Sequence, residues 1–326
     1  MRFATKWSHC IVHDIRDVAP SIREFTLVPQ DGAFDRFAPG SHVEVGVLID
    51  GQPQARSYSL VGEGDAGQYR IAVRLAPDGR GGSRAMWSLK PGARLEVSSP
   101  ASLFDIDFTR PDYCLIAGGI GITPMLGIAA ALKRRGVRAP LHYCVTSRAA
   151  AAYLDDLAVL LDKDLIVHAS DEGHRLDLGA TFAALPEGTM AVVCGPLRLL
   201  EAARHAFAAA GRPSSDLRYE TFGSSGLLPT VEFRVRVKDG GEEIVVPPNR
   251  SMLDALNAAG HEVMSDCERG ECGVCAIDVV EVQGAIDHRD VFFSDHQKQE
   301  SRKICPCVSR AKGVVTVDTL YQRDAV

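Results

Sequence analysis

The chain has 326 residues, 46% hydrophobic and 24% charged, which is enough to bury the cores of two or three domains. A formal net charge of −6 disfavours nucleic acid as a partner, because that needs a basic face. MRFATKWSHC has no apolar stretch after its charges, and the apolar run at 114–132 is broken by glycines and a proline; neither a signal peptide nor a membrane span is expected, and a cytoplasmic protein is.

Residues 1–108 read as short strands: HCIVHDIRDV, SIREFTLVP, HVEVGVLID, ARSYSLV, QYRIAVRLA and ARLEVSS, separated by turns such as DG, PG and GEGD. That pattern predicts a small antiparallel β-barrel. Within it, GRGGSRAMWSL (79–89) is a glycine-rich turn opening a short helix, and free N–H groups there form an anion nest.

The middle segment changes rhythm. YCLIA predicts a buried strand, GGIGITP a glycine turn, and MLGIAAALKRRG a helix with Pro124 in its first turn. LHYCVTSR (strand), AAAYLDDLAVLLDK (helix) and DLIVHAS (strand) follow. After a further helical stretch come MAVVCGP (strand and turn) and LRLLEAARHAFAAAG (helix). This alternation predicts an α/β domain with a parallel sheet, whose ligands sit at the carboxyl ends of the strands. GGIGITP and CGP both fall at such ends. A glycine turn before a helix suits a pyrophosphate, although the G-x-G-x-x-G fingerprint is absent. SSGLLPT (224–230) then reads as a linker.

In the last third, VEFRVRV alternates as a strand, DGGEE is a hairpin turn, EIVVP resumes the strand and SMLDALNAAG is a short helix ended by Gly260. Next comes CERGECGVC (267–275). Nine cysteines in an acidic, leaderless chain do not suggest a disulfide framework. Cys10, Cys114, Cys144 and Cys194 are scattered, whereas Cys267, Cys272, Cys275, Cys305 and Cys307 are concentrated here. Zinc sites pair cysteines as two knuckles. C-x4-C-x2-C is instead the plant-type [2Fe–2S] spacing, with three thiolates on one loop and a fourth from elsewhere. Gly270 and Gly273 let the loop backbone approach the cluster and donate to its sulfurs. By spacing alone the fourth ligand is open between Cys305 and Cys307. No Cys-x-His pair exists, so a Rieske centre is not encoded, and no CxxCH haem site is present.

An iron–sulfur cluster of this type takes one electron at a time and a nicotinamide gives two; a flavin can mediate between them. The motifs agree. RSYSL (56–60), GRGGS, GGIGITP, CGP, the cysteine loop, DHRD (287–290) and CVSRA (307–311) together resemble the phthalate dioxygenase reductase family, within the ferredoxin–NADP reductase superfamily. The resemblance covers nearly the whole chain. It implies a flavin barrel over 1–108, an NAD(P)-binding domain over 109–226 and a β-grasp ferredoxin domain over 231–326.

It also implies roles. Arg56 would pair with the flavin phosphate, with Ser57 beside it in the motif, and Tyr58 and Ser59 would lie against the isoalloxazine, Ser59 near N5. Arg80, Gly81, Gly82 and Ser83 would form the phosphate nest. Gly118, Gly119, Gly121, Thr123 and Pro124 would hold the dinucleotide, with Cys194, Gly195 and Pro196 beside the nicotinamide. Ser59 and Cys194 are thus the residues expected at the reaction. Arg148 could reach an adenosine 2′-phosphate, or be a surface arginine. Glu220 and Phe222 of YETFG would pack near the flavin. CVSRA matches the final ligand segment, which makes the metal set Cys267, Cys272, Cys275 and Cys307.

The family branch favours FMN over FAD, NADH over NADPH, and a separate Rieske-type oxygenase as acceptor. Glu268 and Glu271 beside the ligands could steer a basic partner, or be solvated charge. Two rival readings are a reductase serving a cytochrome P450 or other acceptor, and a redox-sensing iron–sulfur module.

Overall fold

A computed structural model describes residues 6–319, apart from 50, 65–66, 78, 103, 105, 223–227 and 239–242. Part of the DGGEE turn, Gly223 and most of the SSGLLPT linker therefore lie outside the described residues. The chain divides into two compact units, Met1–Pro77 with Gly81–Glu220, and Asp78–Arg80 with Thr221–Val326.

The first unit holds two sheets. In one, β1 (Trp7–Ala19), β2 (Ile22–Pro29), β3 (His42–Ile49), β4 (Gln52–Ser59), β5 (Tyr69–Arg74) and β6 (Arg94–Ser98) line up in the order β4-β3-β6-β1-β2-β5, with helix α1 (Gly82–Ser88) before β6. Every described pairing is antiparallel. Leu60, just past β4, bridges Ile71 of β5, so the two ends of that order meet and the sheet curls towards closure. Alternate residues point inward, and Val12, Phe25, Leu27, Val43, Val45, Ile71 and Val97 fill the interior.

The second sheet has the order β11-β10-β7-β8-β9. It comprises β7 (Tyr113–Gly118), β8 (Leu141–Val145), β9 (Leu165–Ala169), β10 (Met190–Gly195) and β11 (Leu217–Thr221). The run β10-β7-β8-β9 is parallel throughout. Helices α2 (Ile122–Arg134), α3 (Leu154–Leu161), α4 (Leu178–Ala183) and α5 (Leu197–Ala209) supply the connections. Every residue of β7 and β10 is buried, which explains why YCLIAG and MAVVCG are apolar without alternation. Burying a Leu, Ile or Val side chain there stabilises the sheet by roughly 1.5–3 kcal/mol.

One predicted element is shorter than its sequence suggested. The helix expected over AAAYLDDLAVLLDK starts only at Leu154, because Tyr153 is left-handed with φ 60°. Its hydroxyl donates to buried Glu24 Oε2 at 2.8 Å, and Glu24 also meets Arg16 at 3.1 Å. This long-range anchor sets the backbone of Tyr153 against its local helical preference.

The second unit is a mixed sheet, β13-β12-β16-β14-β15, built from β12 (Phe233–Val237), β13 (Glu243–Val246), β14 (Ile277–Asp287), β15 (Lys303–Ile304) and β16 (Arg310–Asp318). β12 pairs parallel with β16, and the other described pairs are antiparallel. Helix α6 (Met252–Ala258) begins with a capping box between Ser251 and Asp254 and lays Met252, Leu253 and Leu256 into the core. Helix α7 (Asp295–Glu300) lies between β14 and β15 in sequence. Among the described residues no helix is long and apolar enough to cross a membrane.

Candidate redox sites

Ser59 is the last residue of β4 and is paired across the sheet with His42 of β3. Its side chain is 5% exposed, and among the described residues its hydroxyl has no hydrogen-bond partner. A buried hydroxyl left unsatisfied costs about 1–3 kcal/mol. An acceptor on a bound ring would remove that cost, so Ser59 fits the flavin expected from RSYSL. Two buried groups lie beside it. Glu220, at the end of β11, places Oε1 3.9 Å from His42 Nδ1. His42 was not legible as a site residue; nothing in GSHVEV sets it apart until β3 pairs with β4.

Arg56 and Tyr58 share the other face of β4. Burial pushes the Tyr58 hydroxyl well above its ordinary value, against the pull of Arg56. The Arg56 guanidinium donates to Gln54 Oε1 at 2.6 Å and to Ala55 O at 2.8 Å. The first residues of α1 come up against it. A Cβ on Gly82 would lie 2.7 Å from Arg56 Nε, and Gly81 has φ 84°. Only glycines allow the start of α1 to approach the arginine this closely, and arginine beside free N–H groups is the donor set a phosphate requires. Ser83 is otherwise engaged, its hydroxyl donating to Ala76 O and accepting from Ala76 N. Arg80 falls in the second unit, Ser57 is partly buried on β4, and Phe222 is partly buried just after β11.

The two dinucleotide loops lie on adjacent parallel strands, with Cys194 of β10 opposite Ala117 of β7. Gly118 ends β7, Gly119–Gly121 forms one tight turn, and α2 follows with Thr123 and Pro124 in its first turn. Thr123 Oγ1 donates to Ile120 O at 3.1 Å, which closes that turn. A Cβ on Gly118 would meet Pro196 and Leu199 at 2.7 Å, and one on Gly195 would lie 3.0 Å from Gly118 Cα. These glycines let the loops pack on each other. Gly119 differs: φ is 53° and nothing lies within 4 Å of a Cβ there. Cys194 is 0% exposed, and Pro196 leads into α5. Arg148 stands apart, in a turn after β8, with its Nε 2.9 Å from Glu172 Oε1.

The clustered cysteines form two groups, Cys267 with Cys272, and Cys275 with both Cys305 and Cys307. Cys267 and Cys272 meet side chain to side chain, and Cys275 Sγ lies 3.2 Å from Cys307 Sγ. Backbone N–H groups of Arg269 and Cys272 both donate to Cys267 Sγ at 3.4 Å. Among the described residues no three His, Cys, Asp or Glu side chains close on a single metal ion. A two-iron rhomb does not need that, since two thiolates serve each iron. Hydrogen bonds from the Cys305 and Cys307 thiols pull Cys275 down to about 3. Cys305 and Cys307 are both pushed up chiefly by donating to Cys275; Cys307 also lies near Cys267 and the Gly270 N–H, and Cys305 near Asp290. The loop glycines are required sterically: Gly270 has φ 77° and a Cβ there would lie 2.6 Å from Val308, while Gly273 has φ 72° and a Cβ there would meet the Phe292 ring at 2.2 Å.

Comparison with known proteins agrees with this division. The model of the 2Fe-2S iron-sulfur cluster binding domain matches residues 235–312, and that of the oxidoreductase FAD-binding domain matches 9–106. The heme-dependent oxidative N-demethylase beta subunit of Ectopseudomonas mendocina (strain ymp) is 37% identical over 92% of this chain and 94% of its own. The vanillate O-demethylase oxidoreductase of Pseudomonas sp. (strain HR199 / DSM 7063) is 35% identical over 94% and 98%. The solved structure of phthalate dioxygenase reductase superposes with a TM-score of 0.77, at 30% identity over 96% of this chain and 98% of that one.

The chain belongs to the phthalate dioxygenase reductase family. It is a flavin and [2Fe–2S] electron-transfer oxidoreductase, with an antiparallel flavin sheet, a parallel α/β sheet and a C-terminal ferredoxin module.

In this reductase the DHRD and CVSRA segments hold each other. Ser309 Oγ donates to Asp290 Oδ1 at 3.1 Å and accepts from Arg289 N at 3.1 Å. Arg289 Nε donates to Asp287 at 2.7 Å, and Arg310 donates to the carbonyls of Arg250, Val231 and Pro247. The motif residues thus anchor the turn before β16, which carries Cys307. One expectation is corrected. Glu271 cannot steer a partner: its carboxylate is 14% exposed, accepts from Thr221 N at 2.8 Å and faces Arg269. Its charge is committed to holding the cysteine loop. Glu268 alone of the two remains exposed, and Phe292, packed over Gly273, is 46% exposed.

Proposed function

We propose that this chain is the reductase component of a multicomponent oxygenase. It carries electrons from NADH, through FMN and a [2Fe–2S] cluster, to a separate Rieske-type oxygenase. The observation that carries this reading is the coexistence in one chain of the buried Ser59 hydroxyl, the Gly121–Cys194 loop contact and the two cysteine groups. A redox sensor would need only the last of these.

The three parts are taken as 1–108, 109–226 and 231–326. Arg56 with Gly81 and Gly82 would receive the flavin phosphate. Tyr58, Ser59 and Glu220 would lie against the ring. Gly118, Gly119, Gly121, Thr123 and Pro124 would take the dinucleotide, with Cys194, Gly195 and Pro196 forming the floor beneath its nicotinamide. Cys267, Cys272, Cys275 and Cys307 would hold the irons, supported by the position of Cys307 near both cysteine groups. FMN is favoured by the order of the domains and by GRGGS.

When bound, flavin and cluster supply the conversion of an electron pair into single electrons. The chain's own contribution is orientation. The β4 end presents the Ser59 hydroxyl to a ring acceptor, and the packed loops fix the plane on which a nicotinamide rests. No acid–base residue is required.

An oxygenase partner is supported by the relatives, whose names include an O-demethylase and a heme-dependent N-demethylase. The second name supports a haem-containing acceptor as the alternative. Anaerobic titration with NADH tests the internal chain: uptake of about three electrons, with loss of both flavin and iron–sulfur absorbance, is expected. Flavin bleaching alone, in protein with full iron and sulfide content, would refute it. Turnover with purified Rieske oxygenases against haem oxygenases then separates the two partners.

A further inference from the structure

Glu24 and Tyr153 come from the two different sheets of the first unit. Glu24 lies on β2 of the antiparallel sheet, directly opposite Arg16 of β1, and is 5% exposed. Tyr153 immediately precedes α3 of the α/β sheet and is also 5% exposed. Its hydroxyl donates to Glu24 Oε2 at 2.8 Å. Burial, and then the Glu24 charge, push that hydroxyl far above its ordinary value, so it remains a donor. Arg16 meets Glu24 Oε1 at 3.1 Å, and Arg70 of β5 meets Oε2 at 3.6 Å. The carboxylate is thus held on its own sheet by two arginines. Tyr153 is held on the other side: Ala152 N donates to the buried hydroxyl of Tyr143, on β8, at 3.0 Å.

Arg70 extends this network towards the expected reaction site. A Cβ on Gly62 would lie 2.7 Å from Arg70 Nη2, and one on Gly127 of α2 would lie 2.2 Å from Gly62 O. Arg70, the loop after β4 and the backbone of α2 are therefore packed in sequence. That loop follows Ser59 directly, and α2 begins at the turn Gly119–Gly121. Tyr153 meanwhile keeps φ at 60°, a region unfavourable for a bulky side chain. Such a conformation persists only where the surroundings over-determine it, and it is found where geometry serves function. A phenylalanine would fill the same space and leave Glu24 nothing to hold. The backbone could then relax into α3.

We propose that Tyr153, acting through Glu24, is a positioning residue for flavin reduction: it fixes the antiparallel flavin sheet against the parallel sheet that receives the nicotinamide. The inference rests on the reading given under Proposed function. That step moves one hydride, with its electron pair, from the nicotinamide to flavin N5, so one ring is oxidised as the other is reduced. A displacement of about 1 Å between reacting atoms can slow such a step about a hundredfold. Neither Tyr153 nor Glu24 is among the residues assigned to the flavin or the dinucleotide. Their loss should therefore appear in the rate of the step and not in nicotinamide binding.

The test uses the flavin-loaded full chain and stopped-flow absorbance with NADH. Tyr153→Phe should lower the limiting rate of flavin bleaching about tenfold or more, with the half-saturating NADH concentration and the rate of reduction by dithionite unchanged. The long-wavelength charge-transfer absorbance of reduced flavin with bound NAD⁺ should weaken in the same variant, because overlap of the two rings sets its strength. Glu24→Ala should reproduce both effects, and it decides the matter if Tyr153→Phe does not fold. Glu24→Gln still offers an oxygen to the Tyr153 hydroxyl and should recover most of the rate and the band. Arg134 of α2 pairs with Glu63 at the exposed edge of the same contact, and Arg134→Ala should change neither. Wild-type rate and band in Tyr153→Phe or in Glu24→Ala overturn the proposal, as does an equal loss in Arg134→Ala. In those cases NADH still bleaches the wild-type flavin, and only the positioning role has failed. If NADH leaves the wild-type flavin band intact, the nicotinamide reading fails and this proposal fails with it.

Discussion

A Cβ placed on Gly121 would lie 2.2 Å from the carbonyl oxygen of Cys194. The turn after β7 and the end of β10 therefore touch backbone to backbone, and this contact would form the floor of the proposed dinucleotide site. Gly121→Ala must part the two loops. A loss of about 1–3 kcal/mol of stability is expected, together with a raised KM for NADH. Gly119→Ala meets no atom and incurs only the left-handed backbone cost of about 1–2 kcal/mol. Thermal denaturation and steady-state kinetics compare the two. Equal KM effects would argue that loop packing is not what Gly121 provides.

Ser59 carries a buried hydroxyl with no partner among the described residues. Removing it should leave stability unchanged or slightly raised, because no internal hydrogen bond is lost. Ser59→Ala should retain flavin but slow its reduction by NADH about ten- to a hundredfold, the worth of one hydrogen bond to developing charge. Stopped-flow absorbance reads this directly. A variant that reduces at the wild-type rate would make Ser59 a packing residue.

Cys305 and Cys307 are both buried against Cys275, but only Cys307 also lies near Cys267 and Gly270. Cys307→Ser should abolish or sharply change the visible and electron paramagnetic resonance signals of the cluster. Cys305→Ser should leave those signals in place and lower stability by about 1 kcal/mol, through an added polar atom in the core. The reverse outcome would exchange the two assignments.

His142 Nδ1 lies 3.0 Å from His168 Nε2 on adjacent strands. Burial first, and then the neighbouring His168, pull His142 from 6.5 down to about 4. Between those values the unfolded chain binds more protons than the folded one. Stability is thus full above about pH 6.5, falls as pH drops towards 4, and levels off below. After allowance for a partly solvated ring the contribution is about 1–2 kcal/mol. Denaturant midpoints at pH 7 and pH 4.5 should move less in His142→Gln than in wild type. An identical shift in both proteins would assign the acid sensitivity to other groups.

Much of this reductase is determined by local sequence. Periodicity of two, then strand–turn–helix alternation, then a mixed pattern ending in C-x4-C-x2-C, marks the three kinds of sheet, because side-chain spacing directly reflects which faces are buried. Cysteine spacing and glycine turns identify the chemistry, because ligand loops and close backbone approach tolerate few residue types.

Tertiary structure decided whatever depends on residues distant in the chain. Tyr153 abandons its helix because Glu24, 129 positions away, holds its hydroxyl. Glu271 looks like surface charge beside the ligands but is buried against Thr221 N, 50 positions away. His42 comes opposite Ser59 only through strand pairing, and Arg148 Nε meets Glu172 Oε1 only because β8 and β9 pack side by side. Local pattern reports how a residue is oriented within its element. The charge, proton or ligand that it meets is set by which elements pack together, and that information is carried by no single stretch of sequence.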